Sequence, residues 1–167
     1  MTDGTGVGIR LATIGDASRI REIYNHEVLT STATFDLIPR SLEEQEAWIA
    51  ERTGAFAAIV AVDAGDVVGF GSLSPYKERA AYRTSVEDSV YVDRATHGRG
   101  VGKLIVTELL GVAQLSGFHT VFARIEAGGA ASRGLHASCG FELVGIEREV
   151  GRKFHRWLDV AIMQKLL

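Results

Sequence analysis

Residues 85–103 read Ser-Val-Glu-Asp-Ser-Val-Tyr-Val-Asp-Arg-Ala-Thr-His-Gly-Arg-Gly-Val-Gly-Lys, and this stretch decides the fold. Val86, Val90 and Val92 alternate with polar or aromatic neighbours, a pattern that is typical of a half-buried strand. A glycine-rich turn follows, and an apolar-periodic helix begins at once at Val101. A strand, a glycine turn and a helix start together point several backbone N–H groups at one place, which is typical of a phosphate site.

The spacing of the glycines separates several kinds of phosphate loop. A nucleoside-triphosphate loop needs Ser or Thr after its lysine to hold magnesium, whereas Lys103 is followed by Leu104. A dinucleotide fingerprint needs Gly-x-Gly-x-x-Gly near the first strand, and residues 98–102, Gly-Arg-Gly-Val-Gly, do not match it. Glycines crowded at a helix start disfavour the helix unless an anion compensates. We therefore infer a loop for another phosphate-bearing ligand.

Glu87 is an isolated carboxylate on the strand that leads to this loop. The strand rises ~3.3 Å per residue, so the five residues from Glu87 to Val92 span roughly 16 Å. That length is about the reach of a pantetheine arm. A phosphate-bearing cofactor that lies along the strand would thus end beside the carboxylate, which indicates acyl-CoA chemistry with Glu87 as the base.

Length and composition are typical of one globular domain. The chain has 167 residues, of which 46% are hydrophobic and 23% charged, and its formal net charge of −3 offers no basic field for nucleic acid. The single cysteine, Cys139, excludes an intrachain disulfide and suits a reducing cytoplasm. No signal-peptide pattern is present, and the longest apolar run, residues 55–62, is far short of the ~20 residues of a membrane helix. We expect a cytoplasmic protein without nucleic-acid or membrane partners, and the histidine spacing predicts no metal.

Hydrophobic periodicity along the chain predicts an α/β (α+β) domain with a central sheet flanked by helices. Residues 1–8 are predicted to form a flexible N-terminus and residues 9–167 a single domain. Ser41 and Glu44 form a predicted capping box, and residues 64–66 a hairpin turn. The predicted strands are residues 9–13, 56–62, 67–74, 85–93, 119–125, 141–150 and 156–164, and the predicted helices are 17–28, 41–52, 101–116 and 132–139.

Several segments resemble the GCN5-related N-acetyltransferase (GNAT) superfamily and, within it, the phosphinothricin and methionine sulfoximine acetyltransferase group. These segments are residues 23–28 (Ile-Tyr-Asn-His-Glu-Val), 30–35 (Thr-Ser-Thr-Ala-Thr-Phe), 81–92 and 153–160 (Lys-Phe-His-Arg-Trp-Leu-Asp-Val). The glycine loop is similar to the acetyl-CoA loop of the superfamily, whose pattern is Gln/Arg-x-x-Gly-x-Gly/Ala. The resemblance runs from Ile9 to the end of the chain and implies a mixed, mostly antiparallel sheet.

The resemblance implies an enzyme that transfers an acetyl group from acetyl-CoA to the α-amine of a small amino-acid-like acceptor. Glu87 matches the group's catalytic glutamate, and His136 is a second candidate for proton transfer. The residues implied to bind acetyl-CoA are Val90, Tyr91, Val92, Gly98, Arg99, Gly100, Val101, Gly102, Lys103, Gly129 and Ser138. The residues implied to bind the acceptor are Phe35, Arg79, Ala80, Ala81 and Tyr82, with Arg79 as the partner of its carboxylate. A homodimer is also implied.

The sequence departs from the group's pattern at three positions. His97 stands where the loop usually has Gln or Arg, Gly129 where an asparagine usually contacts the pantetheine arm, and Ala137 where a glutamate usually follows the histidine. The first two departures affect affinity for the cofactor more than the chemistry. Two other functions stay open at this point. One is an acetyltransferase for another amine, such as a polyamine or a peptide N-terminus, and the other is an acyl-CoA-binding module without turnover.

Overall fold

The computed structural model describes residues 6–167, and residues 1–5 of the predicted flexible segment lie outside this range. Val7 is buried and the first strand begins at Gly8, so the sheet starts inside that segment. The strands are β1 (Gly8–Leu11), β2 (Ile59–Asp63), β3 (Asp66–Pro75), β4 (Ser85–Val92), β5 (Thr120–Glu126), β6 (Glu142–Lys153) and β7 (Arg156–Leu166). The helices are α1 (Ala17–Thr30), α2 (Leu42–Ala50), α3 (Val101–Leu115) and α4 (Ala130–Ser138).

The strands form one seven-stranded sheet in the order β1-β2-β3-β4-β5-β7-β6. Every neighbouring pair is antiparallel except β4 and β5, which are parallel. The predicted mixed, mostly antiparallel sheet is therefore confirmed. The parallel pair lies at the centre of the sheet, where it joins the two antiparallel halves.

Helices cover both faces of the sheet, so the apolar side chains form two cores. Helix α3 presents Val101, Ile105 and Leu109 to one face, and α1 presents Ile20 and Val28 to the other. Helix α2 packs with α1, and its predicted capping box is present: the Ser41 hydroxyl accepts from the Glu44 N–H at 3.1 Å, and the Glu44 carboxylate accepts from the Ser41 N–H at 2.7 Å. Among residues 6–167, no helix has the length and apolarity needed to cross a bilayer.

The hairpin of β6 and β7 differs from the sequence-based prediction. The sequence pattern leaves residues 151–155 between two predicted strands, whereas β6 continues to Lys153, which pairs with Arg156 across a two-residue turn. Phe154 and His155 in that turn have φ of +50° and +60°, a left-handed conformation that is uncommon for residues other than glycine. The turn was missed because its sequence carries no glycine or asparagine signal. The pairing of the long strands stabilises this conformation.

Candidate active site

Strands β4 and β5 separate after a short parallel stretch. Their paired residues are Ser85 with Thr120, Val86 with Val121 and Glu87 with Phe122, whereas β4 continues to Val92 and β5 to Glu126. Beyond these three pairs, the backbone N–H and C=O groups of β4 and β5 that face each other form no strand pairing across the gap. A cavity of about 950 Å³ is lined by these edges. It offers an extended ligand with amide groups the hydrogen bonds that a neighbouring strand would otherwise make.

The start of α3 lies at the open end of this gap. Gly100 caps the helix with φ of +80°, a left-handed conformation that favours glycine. The N–H of Leu104 is bonded to the Gly100 carbonyl oxygen at 3.1 Å. This is the first bond of the helix, so the N–H groups of residues 101–103 have no carbonyl partner within the helix. They point out of the helix end, at the positive end of the helix dipole. Because Lys103 also lines the cavity, this end suits a phosphate group.

Two other side chains of the loop have partners within the protein. The His97 Nε2 atom lies 3.0 Å from the Val92 carbonyl oxygen and donates to it, which closes the turn between β4 and α3. Arg99 forms an ion pair with Asp63 at 2.7 Å, so it joins the loop to β2. The backbone and Lys103, rather than these two side chains, are thus left to contact an anion.

Glu87 lies at the closed end of the gap, where β4 and β5 still pair. Burial raises the pKa of Glu87, the Arg124 guanidinium lowers it, and the nearby carboxylates of Asp88 and Glu147 raise it, with a net shift upward. A carboxylate with a raised pKa is a stronger base. This shift moves Glu87 towards the range in which a side chain exchanges protons efficiently near neutral pH.

His136 and Asp88 form a buried pair in the same cavity. The Nε2 atom of His136 lies 3.0 Å from Oδ2 of Asp88, and Nδ1 lies 2.8 Å from the Ser132 carbonyl oxygen. A carbonyl oxygen only accepts, so Nδ1 carries a hydrogen, and Nε2 of the protonated ring donates to the Asp88 carboxylate. The Asp88 carboxylate therefore stabilises the protonated form of His136.

Residues 31–35, which follow α1, also line the cavity. The Thr32 hydroxyl donates to Glu126 at the end of β5 at 3.0 Å, and the Lys153 ammonium donates to the Thr34 carbonyl oxygen at 2.8 Å. The ring of Phe35 packs on the backbone of Gly151 and occupies the space that a side chain there would need. These contacts hold the segment between β5 and the β6–β7 hairpin, with Phe35 lining the cavity.

Residues 9–162 match the sequence profile described as the acetyltransferase (GNAT) domain. The chain belongs to the GNAT acetyltransferases. An L-methionine sulfoximine/L-methionine sulfone acetyltransferase of Pseudomonas aeruginosa is 39% identical to this acetyltransferase over 158 residues, which cover 93% of this chain and 92% of the relative. The resemblance inferred from the sequence is thereby confirmed.

Solved structures of other GNAT proteins have the same fold. A phosphinothricin acetyltransferase from Sinorhizobium meliloti in complex with AcCoA is 37% identical, with a TM-score of 0.92 over 97% of this chain and 89% of that one. A ribosomal-protein-alanine N-acetyltransferase from Brucella melitensis is 40% identical, with a TM-score of 0.93 over 96% and 99%. The enzyme is thus an acetyl-CoA-dependent N-acetyltransferase, and acetyl-CoA is its cosubstrate.

The structure brings most of the predicted site residues of the acetyltransferase to one cavity, but not all of them. Ser138 is exposed and its hydroxyl donates to the Leu135 carbonyl oxygen, while Arg79 and Tyr82 lie on the loop between β3 and β4 and do not line the cavity. Arg99, Ala80 and Ala81 are not among the lining residues either. The predicted residues that line the cavity are Phe35, Glu87, Val90, Tyr91, Val92, Gly98, Gly100, Val101, Gly102, Lys103, Gly129 and His136.

Sequence reasoning missed Asp88, Arg124 and Lys153. Asp88 is the next residue after Glu87 on β4 and therefore faces the opposite side of the sheet, where α4 carries His136. Arg124 interrupts the apolar run of residues 121–125, and that interruption is the signal that could have identified it. Lys153 is 4% exposed and carried no comparable signal, because its burial depends on contacts with a distant loop. Within residues 6–167, no three His, Cys, Asp or Glu side chains are grouped to hold a metal ion.

Proposed function

We propose that the acceptor of this acetyltransferase is a small amino-acid-like amine of the phosphinothricin, methionine sulfoximine or methionine sulfone type, acetylated by direct attack on acetyl-CoA. The observation that carries the proposal is the gap between β4 and β5. The half-buried Glu87 lies at its closed end and the free N–H groups of α3 lie at its open end. Relatives with these acceptors in their names support it.

The residues that would hold acetyl-CoA are on the two edges of the gap. The N–H groups of residues 101–103 and the Lys103 ammonium would bind the pyrophosphate. The free backbone edge of Val90 to Val92 would bind the amides of the pantetheine arm, and an N–H of this edge would polarise the thioester carbonyl. Gly129, at the start of α4, has no side chain to contact the pantetheine arm, so the hydrogen bonds to the pantetheine amides would come from β4. Acetyl-CoA supplies an acetyl group activated as a thioester.

Glu87 would accept the proton that the acceptor must lose, directly or through a water molecule. A primary amine is mostly an ammonium ion at neutral pH and has no lone pair for attack until it is deprotonated. The raised pKa of Glu87, caused first by burial, supports its role as the base. The His136–Asp88 pair is the second candidate for proton transfer, since it lines the same cavity.

A second acceptor class is a peptide N-terminus. The 40% identical Brucella melitensis structure is described as a ribosomal-protein-alanine N-acetyltransferase, which favours this alternative. The deciding experiment measures thiol release from acetyl-CoA with L-methionine sulfone, L-methionine sulfoximine and phosphinothricin. Spermidine and a short alanine-terminated peptide are tested in parallel. Preference for the amino acids supports the proposal, whereas a preference for the peptide or the polyamine contradicts it.

We also propose that the enzyme is a cytoplasmic homodimer. Strand β6 is an edge of the sheet, and the apolar side chains of Leu143, Val144 and Val150 on it are 50%, 58% and 54% exposed. An exposed edge strand with apolar side chains is a favourable surface for a second copy of the chain. The lone cysteine, Cys139, is free, which agrees with a reducing compartment. Sedimentation analysis should give twice the chain mass, and a Val144→Glu variant should shift that mass to the monomer.

A further inference from the structure

Arg124 is a cation in the cavity of the candidate base, and it interrupts the apolar run of residues 121–125 on β5. Along β5, Val121, Ala123 and Ile125 belong to the core under α3, so Arg124 faces the opposite side of the sheet. It lines the cavity together with Glu87, and the charges of these two side chains act on each other. Glu87 pairs with Phe122, and Arg124 is two residues further along β5 on the same face, so the guanidinium and the carboxylate are neighbours on one face of the sheet.

Other cations that line the cavity are engaged or lie at its other end. Arg94 donates to both carboxylate oxygens of Glu27 at 2.9 Å, and Lys103 lies at the phosphate end on α3. Arg79, the predicted partner of the acceptor's carboxylate, is not among the lining residues of its own chain. Among residues 6–167, Arg124 is the arginine that the structure places next to Glu87 in the cavity.

Glu147 on β6 holds the Arg124 side chain in place without using all of its donors. Nη1 and Nη2 of Arg124 lie 3.2 and 2.5 Å from the two carboxylate oxygens of Glu147. A guanidinium has five N–H donors in a planar fork, so an end-on pair through the two terminal nitrogens leaves the Nε–H edge for a second carboxylate. The side chain is 35% exposed, which leaves it accessible to a ligand.

We propose that Arg124 binds the α-carboxylate of the acceptor and thereby selects free α-amino acids over amines that lack this group. The inference rests on the proposed function and names the specificity-determining residue for it. An α-amino acid carries its ammonium and its carboxylate on one carbon atom. Glu87 and Arg124 offer the complementary pair of opposite charges side by side, with Glu87 facing the amine. A polyamine has no group for Arg124, and a peptide N-terminus has its carboxyl group in an amide bond.

The test compares L-methionine sulfone with its methyl ester, because the ester keeps the amine and the side chain but loses the negative charge. Specificity constants are measured by thiol release for the wild type and for Arg124→Gln and Arg124→Lys. Arg148→Gln, on an exposed arginine of β6 outside the cavity lining, is the control for loss of one surface charge. The assays are run at about pH 8.5, well above the ordinary carboxyl pKa, to favour the ionised form of Glu87, whose pKa is raised.

We expect Arg124→Gln to lower the specificity constant for the free acid roughly 10- to 100-fold and that for the ester by less than about 3-fold. Arg124→Lys, which keeps the charge but not the fork, should retain part of the preference for the acid. An equal fall for acid and ester would overturn the inference, since Arg124 would then act through Glu87 or through the fold. An acid-specific fall in Arg79→Gln but not in Arg124→Gln would also overturn it. Failure of the wild type to acetylate either compound would instead refute the proposed function, and this inference with it.

Discussion

The imidazole of His136 on α4 and the carboxylate of Asp88 on β4 form a buried hydrogen-bonded pair, with Nε2 and Oδ2 3.0 Å apart. Burial by itself lowers the pKa of His136, but the hydrogen bond and the charge of Asp88 raise it, as does the bond to the Ser132 carbonyl. The net pKa is raised. The ring therefore keeps its second proton to higher pH than an exposed histidine does.

The stability of the protein should consequently depend on pH through this pair. A histidine whose folded pKa is raised stabilises the fold fully below its unfolded pKa of about 6.5, and that contribution is lost as the pH rises through the folded pKa. We expect Asp88→Asn to lower the free energy of unfolding by about 3 kcal/mol at pH about 5.5 and by clearly less at pH about 9. Urea unfolding at both pH values measures this difference. An equal loss at the two values would mean that the pair is not ionised.

Replacement of Glu87 tests the role of the base. Glu87→Gln should lower turnover roughly 10²- to 10³-fold, because a positioned general base contributes about that much, while binding of acetyl-CoA should hardly change. The pKa of Glu87 is raised, chiefly by burial. As the pH is lowered, the activity of the wild type should therefore begin to fall at a higher pH than it would if the base were an exposed glutamate. Glu108→Gln, on an exposed carboxylate of α3, is the matched control. Unchanged turnover in Glu87→Gln would transfer the role to His136 or to solvent.

The anion site at the start of α3 is tested through Gly100. Gly100→Val should abolish binding of CoA in a folded protein, because valine is strained at a φ of +80° and its side chain would lie where phosphate oxygens need to approach the backbone. Calorimetric titration with CoA is the measurement, with a thermal melt to verify the fold. Gly111→Val is the matched control, since it adds the same side chain to open space on the same helix. Micromolar binding in a folded Gly100→Val variant would show that the loop does not hold the cofactor.

Lys153 is expected to position the acceptor segment, residues 31–35, without taking part in cofactor binding. Its ammonium donates to the Thr34 carbonyl oxygen at 2.8 Å and to the Glu27 carbonyl oxygen at 3.5 Å. Loss of such charge-assisted bonds in Lys153→Met should raise the KM of the acceptor roughly 10-fold and leave the affinity for acetyl-CoA unchanged. Lys165→Met on β7 is the control. A parallel loss of CoA affinity would mean that Lys153 supports the whole domain rather than this segment.

Local patterns predicted the features of the fold that short-range interactions stabilise. The Ser41 capping box and the start of α3 at Val101 each depend on residues within one helical turn, and the structure contains both. The turn at Phe154 and His155 could not be predicted in this way. Its left-handed conformation is unfavourable locally, and it is stabilised by the pairing of β6 with β7 along their length.

The sequence by itself determined the family, the glycine loop and the position of Glu87, because each of these is encoded in contiguous residues. Only the tertiary structure decided which side chains share the cavity. Asp88 and His136 are 48 positions apart, and Arg124 and Glu147 are 23 apart, so their meeting depends on strand register and helix packing. The same long-range packing leaves Arg79 out of the residues that line the cavity and brings Arg124 next to Glu87. Short stretches of sequence specify the elements, whereas burial across the whole sheet specifies which of their side chains meet.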